Sequence, residues 1–154
     1  MSPSRYRFRS AWHVAVDPDA LFDVLCDIGS YPRWWPQLRS VERIDDDTAW
    51  VLCRSVLPYT LRLRAQRAAQ DRSAGVLEVR LSGDLDGWSR WTLTPDRDRT
   101  ALVYEQEVVV RGRLLRWAGL VGRPLLRLNH AWMMRSGRRG LDRWVRRSVP
   151  AGEA

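Results

Sequence analysis

The chain has 154 residues, 45% of them hydrophobic, and carries a formal net charge of +8. This length and composition are typical of a single globular domain, so we expect one domain over residues 1–154. No apolar stretch approaches the length of a membrane-spanning helix, and the arginine-rich start lacks the apolar run of a secretory signal. We therefore expect a cytoplasmic protein.

The positive charge is concentrated near the C-terminus. Residues 111–147 hold eleven arginines and one acidic residue, Asp142. Such a segment is either a solvated helix face or a surface for an anionic partner such as a membrane or a nucleic acid. We favour the solvated face.

Residues 6–16 alternate between apolar and polar side chains, which predicts a strand. Asp17 can then cap a helix that has Pro18 in its first turn and Gly29 at its end. The two Xaa-Pro pairs that follow bracket a very short second helix, because a residue before proline is driven out of the helical region. This leaves Trp34 and Trp35 on a tight corner.

Turn signals next separate six antiparallel strands, with the turns at 45–47, 57–58, 71–75, 82–84 and 95–99. In the last strand, Tyr104 and Gln106 are on the same face as the apolar residues, while Glu105 and Glu107 are on the solvent-exposed face.

A long closing helix is predicted to start near Pro124, after a looser lead-in that contains Gly119 and Gly122. At 100° per residue, one broad face, which we expect to point inward, collects Leu125, Leu128, Asn129, Trp132, Met133, Ser136 and Gly140. A strand, short helices, six strands and a long helix form an α+β order without βαβ alternation.

Three segments carry a resemblance to a known family. Their matching residues are Val16, Pro18, Phe22, Leu25, Asp27, Tyr31, Pro32, Trp34 and Pro36, then 83–104 around Gly83, Gly87 and Trp91, and last 129–141 from Asn129 to Leu141. In these segments the chain resembles the helix-grip (START-like) superfamily, in its polyketide cyclase/dehydrase and lipid-transport-like branch. The resemblance implies a curved antiparallel sheet of about seven strands wrapped around a long C-terminal helix, with two short helices after the first strand. It also implies an internal cavity, with Trp34 and Trp35 at its rim and Trp91 and Trp132 facing it.

Several classes of catalytic site lack their sequence signals. There is no phosphate-binding glycine loop, no nucleophile elbow, no histidine pair at metal spacing and no CxxC. We therefore expect no metal site and no cofactor, and we interpret His13 and His130 as surface or structural residues.

The hairpin near residue 57 decides which side chains face the cavity. If Leu57-Pro58 is a two-residue loop, Trp50 and Arg54 face inward together with Tyr59 and Leu61. A buried arginine could orient an acidic ligand through two parallel hydrogen bonds. The alternatives are that Arg54 lies at the cavity mouth, or that a loop of odd length turns it outward.

The inward polar groups and aromatic walls predict a hydrophobic ligand site. The predicted ligand-binding residues are Trp34, Trp35, Trp50, Leu61, Trp91, Gln106, Asn129, Trp132, Met133 and Ser136. The competing interpretation is that the tryptophans only fill the core. If the protein is an enzyme, the resemblance suggests cyclisation of a poly-β-ketone, with Tyr59 as proton donor, Arg54 as enolate stabiliser and Tyr104 as an orienting group.

We expect a protein that binds a hydrophobic small molecule such as a lipid, quinone or polyketide, with or without cyclase/dehydratase activity. The alternative is an interaction protein that uses its basic C-terminal segment on an anionic membrane or ribosomal RNA. The lead-in 113–123 would suit a peripheral membrane anchor, although we prefer a lid over the cavity mouth. We do not expect nucleic acid as the partner.

Overall fold

The computed structural model describes residues 5–54 and 60–148, without the side chains of 112–121 and 148. Its elements in chain order are β1 (Arg5–Val14), α1 (Pro18–Cys26), a 3-10 turn (Ile28–Ser30), α2 (Tyr31–Trp34), β2 (Leu38–Arg43), β3 (Thr48–Arg54), β4 (Thr60–Asp71), β5 (Val76–Gly83), β6 (Leu85–Asp96), β7 (Arg99–Val110) and α3 (Gly112–Ser148). The predicted α+β order is confirmed.

All seven strands belong to one antiparallel sheet, in the order β1-β7-β6-β5-β4-β3-β2. Strands β2 to β7 follow one another as a meander, and β1 pairs with β7 at the far side, with Tyr6 opposite Val108. A register shift between Arg67 and Ala69 in β4 marks a bulge, and bulges bend and twist the strand that carries them. This sheet and the helix α3 form the predicted helix-grip fold.

Helix α1 begins as its sequence predicts. The Asp17 carboxylate accepts a hydrogen bond from the Ala20 amide at 3.0 Å, and Pro18 occupies the first turn. Leu21, Phe22 and Leu25 are buried in a core cluster that includes residues of β6 and β7. Burial of each such side chain contributes about 1.5–3 kcal/mol, so α1 is held mainly by its apolar stripe.

The predicted tryptophan corner is also present. Trp34 and Trp35 are both buried, with their rings stacked at 5.5 Å. The Tyr31 hydroxyl donates to the Leu25 carbonyl at 2.6 Å, and the Trp35 indole N–H donates to the Met133 carbonyl at 2.9 Å. The corner therefore connects α1 to the middle of α3.

Helix α3 is interrupted at Gly122, which has φ 78° and ψ 163°. A positive φ of this kind favours glycine, and Pro124 follows as a first-turn proline. The predicted helix start near Pro124 thus coincides with a real break. The lead-in, predicted to be looser, is itself helical from Gly112.

The face of α3 that points inward differs from the predicted one. Leu126, Met134, Gly137, Leu141 and Val145 are buried, whereas three residues of the predicted inward face are exposed: Leu125, Leu128 and Trp132. The observed face is displaced by about one residue, which is about 100° of helix rotation. Apolar side chains surround much of the helix between 125 and 134, so the pattern there does not define one inward direction.

None of the described helices is both long and apolar enough to cross a membrane.

Candidate ligand cavity

A cavity of about 260 Å³ lies between the sheet and α3. Strands β3 and β4 contribute Val51, Cys53 and Leu63 to its wall, and α3 contributes Leu126 and Met133. Ligand pockets for drug-sized molecules usually measure about 300–1,000 Å³. The space therefore suits a small ring system or a short chain.

Of the orientations that the sequence leaves open for Arg54, the structure shows the outward one, which a loop of odd length produces; the inward orientation of Arg54 and Trp50, which requires a two-residue loop, is wrong. Cys53 pairs with Leu61 and Arg54 with Thr60, so an odd number of residues separates the last paired positions of the hairpin. The one-residue difference in register puts Val51 and Cys53 on the inner face, and Arg54 is exposed. Trp50 lies on the outer face, where the Arg62 guanidinium stacks over its ring at 4.3 Å.

The other predicted site residues divide into two groups. The structure brings to the cavity wall Trp35, Leu61, Trp91, Tyr104, Gln106, Asn129 and Met133. Trp34 is buried in the core beside the cavity, Ser136 is half-buried outside its wall, and Trp132 is exposed on the opposite side of α3, so its predicted inward orientation is wrong. Tyr59 lies outside the described residues.

A chain of four polar side chains interrupts the apolar wall. The Tyr104 hydroxyl lies 3.0 Å from Ser89 Oγ and 2.9 Å from Gln106 Oε1. His130 Nε2 lies 3.2 Å from the same Gln106 oxygen, and its ring stacks on Phe8 at 3.6 Å. We call Ser89, Tyr104, Gln106 and His130 the polar chain.

Two members of the polar chain, Ser89 and His130, were not predicted. Ser89 lies directly opposite Gln106 in the β6–β7 pair, so an inward Gln106 implies an inward Ser89 once the register is known. His130 follows Asn129 in sequence, and the one-residue displacement of the α3 face brings it inward.

Three buried ionisable groups of the cavity wall, Cys53, Tyr104 and His130, are neutral around pH 7. Burial raises the pKa of Tyr104 to about 12 and lowers the pKa of His130 to about 4. Burial also raises the pKa of the Cys53 thiol to about 12. General acids and bases work best with pKa values near the working pH, so none of these groups is tuned for proton transfer at neutral pH.

Charged side chains meet the cavity mainly at one end, at the turn between β2 and β3. Arg43, the three aspartates 45–47 and Arg67 contribute to the wall there, and all are exposed. Arg67 pairs with Asp47 at 3.1 Å. We interpret this end as an opening to solvent. Within residues 5–54 and 60–148, no His, Cys, Asp and Glu side chains are grouped so that they could hold a metal ion.

The family model described as polyketide cyclase/dehydrase and lipid transport matches residues 14–138. The chain belongs to this family. The resemblance seen in the sequence is therefore confirmed. A comparison with curated proteins found no match.

Several solved structures share the fold. A protein from Thermus thermophilus has a TM-score of 0.81 at 14% identity, over 94% of this chain and 99% of the other. The Zhui aromatase/cyclase from a Streptomyces species has a TM-score of 0.79 at 18% identity, over 97% and 99% of the two chains. A START superfamily protein from Mycobacterium smegmatis has a TM-score of 0.72 at 14% identity, over 93% and 99%. At these identities the likeness concerns the fold.

Proposed function

We propose that this protein binds an uncharged, largely apolar small molecule in the cavity, with an oxygen of the ligand directed to the polar chain. The observation that carries this proposal is the composition of the wall. Apolar side chains enclose most of the space, one neutral polar chain crosses it, and the charged groups lie mainly at the opening. Apolar walls with a few placed polar groups are typical of sites for hydrophobic ligands.

The lack of a buried counter-charge among the described residues of the wall argues against an anionic ligand deep in the cavity. A carboxylate that leaves water pays a large desolvation cost unless a cation and hydrogen bonds compensate for it. Arg54, which only a two-residue loop would turn inward, is exposed on the outer face. Arg43 and Arg67 lie at the opening, where an acidic group of a ligand would stay in water.

The polar chain can form a hydrogen bond with a ligand oxygen while His130 and Tyr104 keep their neutral protonation states. His130 Nε2 lies within hydrogen-bond distance of Gln106 Oε1. An amide oxygen only accepts, so Nε2 is the donor in this hydrogen bond and carries the imidazole proton. His130 Nδ1 makes no hydrogen bond to the described residues, so in this tautomer it can accept from a ligand hydroxyl. The apolar surroundings strengthen any such bond.

The same groups favour binding over acid–base catalysis. A cyclase or dehydratase must move protons near neutral pH, and the pKa values of Tyr104 and His130 lie far on either side of it. The family name includes both cyclases and lipid transport. The cavity wall supports the second kind of role, in which a hydrophobic molecule is held and released unchanged.

A matched series of probes tests this proposal: naphthalene, naphthol and naphthoate, with affinities measured by titration calorimetry. We expect naphthol to bind and naphthoate to bind at least about tenfold more weakly, because only naphthoate brings a charge into the cavity. Tyr104→Phe should weaken naphthol binding by about tenfold and leave naphthalene unchanged, since it removes one hydroxyl group from the wall.

Arg54→Ala is the control and should bind all three probes as the unchanged protein does. Failure of the whole series to bind would contradict the proposal, as would naphthoate binding as tightly as naphthol. Turnover of a poly-β-ketone that depends on Tyr104 would instead support the cyclase role.

A further inference from the structure

Helix α3 has an exposed apolar stripe on the side away from the cavity. Leu125, Leu128 and Trp132 follow one another at spacings of three and four, and they are 43%, 66% and 57% exposed. Among the described residues, the remaining large apolar side chain with comparable exposure is Ile44, at 47% on the turn between β2 and β3. We call Leu125, Leu128 and Trp132 the outer stripe.

Positive charge adjoins the outer stripe. The exposed arginines of α3 in the described part of the chain are Arg127, Arg135, Arg138, Arg139, Arg143, Arg146 and Arg147. None of these seven forms an ion pair with another described residue, and Arg143 donates only to the Arg139 carbonyl, at 3.4 Å. Arg135 and Arg139 lie three and seven positions beyond Trp132, so they continue the line of the stripe along the helix.

We infer that this face of α3 docks on an anionic lipid bilayer, with the helix lying in the plane of the membrane. An interfacial helix buries leucine and tryptophan at the boundary between headgroups and acyl chains and directs its arginines to lipid phosphates. Tryptophan is enriched at this depth because its ring is apolar and its N–H is polar. The charge of α3 is complementary to anionic headgroups, and each arginine near the surface adds to the attraction.

Charge alone would also suit RNA, and apolar exposure alone would suit a protein partner. The combination favours a membrane. Leucine side chains form no favourable contact with a phosphodiester backbone, which argues against RNA. A helix with this excess of positive charge repels a second copy of itself, which argues against a dimer.

The position of the outer stripe relates docking to the cavity. Leu126, His130 and Met133 line the cavity from the same turns of α3 that carry the outer stripe on their other side. A docked helix would therefore hold the cavity wall close to the lipid, where a hydrophobic ligand is concentrated. This inference does not depend on which molecule the cavity binds.

Vesicle flotation tests the inference with the full chain. The vesicles are phosphatidylcholine alone or phosphatidylcholine with about one-third phosphatidylglycerol. We expect co-flotation with the anionic vesicles at low salt, and its loss at high salt, because salt screens the attraction. Leu128→Ser combined with Trp132→Ala should lower the partition by at least about tenfold, whereas Ile44→Ser should change it by less than about twofold.

A charge-matched pair of variants tests the arginines. Arg135→Gln with Arg139→Gln and Arg9→Gln with Arg80→Gln remove the same charge, the first from α3 and the second from exposed positions on the sheet. The α3 pair should lose about tenfold in partition and the sheet pair less than about threefold, because only charges near the bilayer contribute strongly. Unchanged circular dichroism confirms that each variant is folded.

Each of the following results would overturn the inference: no co-flotation at low salt, equal binding to both kinds of vesicle, equal losses in the test and control variants, or a dimer that the outer-stripe variant dissociates. Binding of RNA in preference to anionic vesicles would overturn it as well.

Discussion

The carbonyl oxygen of Trp34 lies where the side chain of residue 140 would begin, so that a Cβ atom on Gly140 would overlap it. One turn earlier, a Cβ on Gly137 would come within 2.7 Å of the Trp35 indole ring. The backbone of α2 and the rings of the corner thus contact α3 directly. These two glycines fix both the separation and the rotation of the long helix.

Gly140→Ala should therefore destabilise the protein. In an open helix, alanine gains about 1 kcal/mol over glycine, but here the new methyl group overlaps a backbone carbonyl that cannot rotate away. Overpacking of a rigid core costs about 1–3 kcal/mol and sometimes more. We therefore expect the free energy of unfolding, measured by urea denaturation, to fall by about 2 kcal/mol. Gly29→Ala is the control, because a Cβ there would meet its nearest neighbour at an ordinary 3.5 Å. Equal stability of the two variants would show that α2 and α3 do not touch at Gly140.

The register of the β3–β4 hairpin can be tested with two neighbouring phenylalanine substitutions. Cys53 is buried on the cavity wall, and Leu52 points to the other face of β3. Cys53→Phe should fill part of the cavity and weaken naphthol binding by at least about tenfold, while Leu52→Phe should leave it unchanged. Calorimetric titration of both variants measures this. The reverse pattern would support the two-residue loop and an inward Arg54.

Stability should fall as the pH drops from about 6.5 to about 4, because of His130. Burial lowers the pKa of His130 to about 4 in the folded protein, compared with about 6.5 for a free histidine. Between these values the unfolded chain binds a proton that the folded protein does not, so acid favours unfolding. The difference corresponds to a loss of up to roughly 3 kcal/mol, complete near pH 4 and absent above about pH 6.5.

The matched variants for this prediction are His130→Gln and His13→Gln. His13 is exposed and pairs with Asp96 at 3.4 Å. Denaturation at several pH values across this range measures how the free energy of unfolding depends on pH. This dependence should be unchanged in His13→Gln and mostly lost in His130→Gln. If both variants kept the full slope, other groups would be responsible for the acid sensitivity.

The sequence predicts the elements that local chemistry determines. The Asp17 cap, the tryptophan corner and the alternation in β7 each depend on residues within a few positions of one another, and each is present in the structure. The break at Gly122 belongs to the same class, because a glycine followed closely by a proline is a local signal. The helix-grip order of elements follows from these local features together with the family resemblance.

The prediction of the site is less complete, because each wrong side-chain orientation follows from a shift of one position in a strand register or a helix face. Arg54 depends on whether the hairpin loop is even or odd, and Leu57-Pro58 is compatible with both. Trp132 depends on the rotation of α3, which the contact between Gly140 and Trp34 determines across more than a hundred residues of sequence. A pattern of apolar residues in one helix contains no information about that contact.

The pairing of β1 with β7 has a consequence for synthesis on the ribosome. Tyr6 has Val108 as its strand partner. About a hundred further residues must therefore be synthesised after β1, the first of the seven strands, before its partner strand is available. Strands β2 to β6 can assemble as successive local hairpins, but closing the sheet at β1 has the large entropic cost of a long loop. During that interval the segment with Trp12 and Val14, both buried in the folded protein, lacks the strand that later pairs with it. We therefore expect the nascent chain to depend on chaperones until β7 has left the exit tunnel.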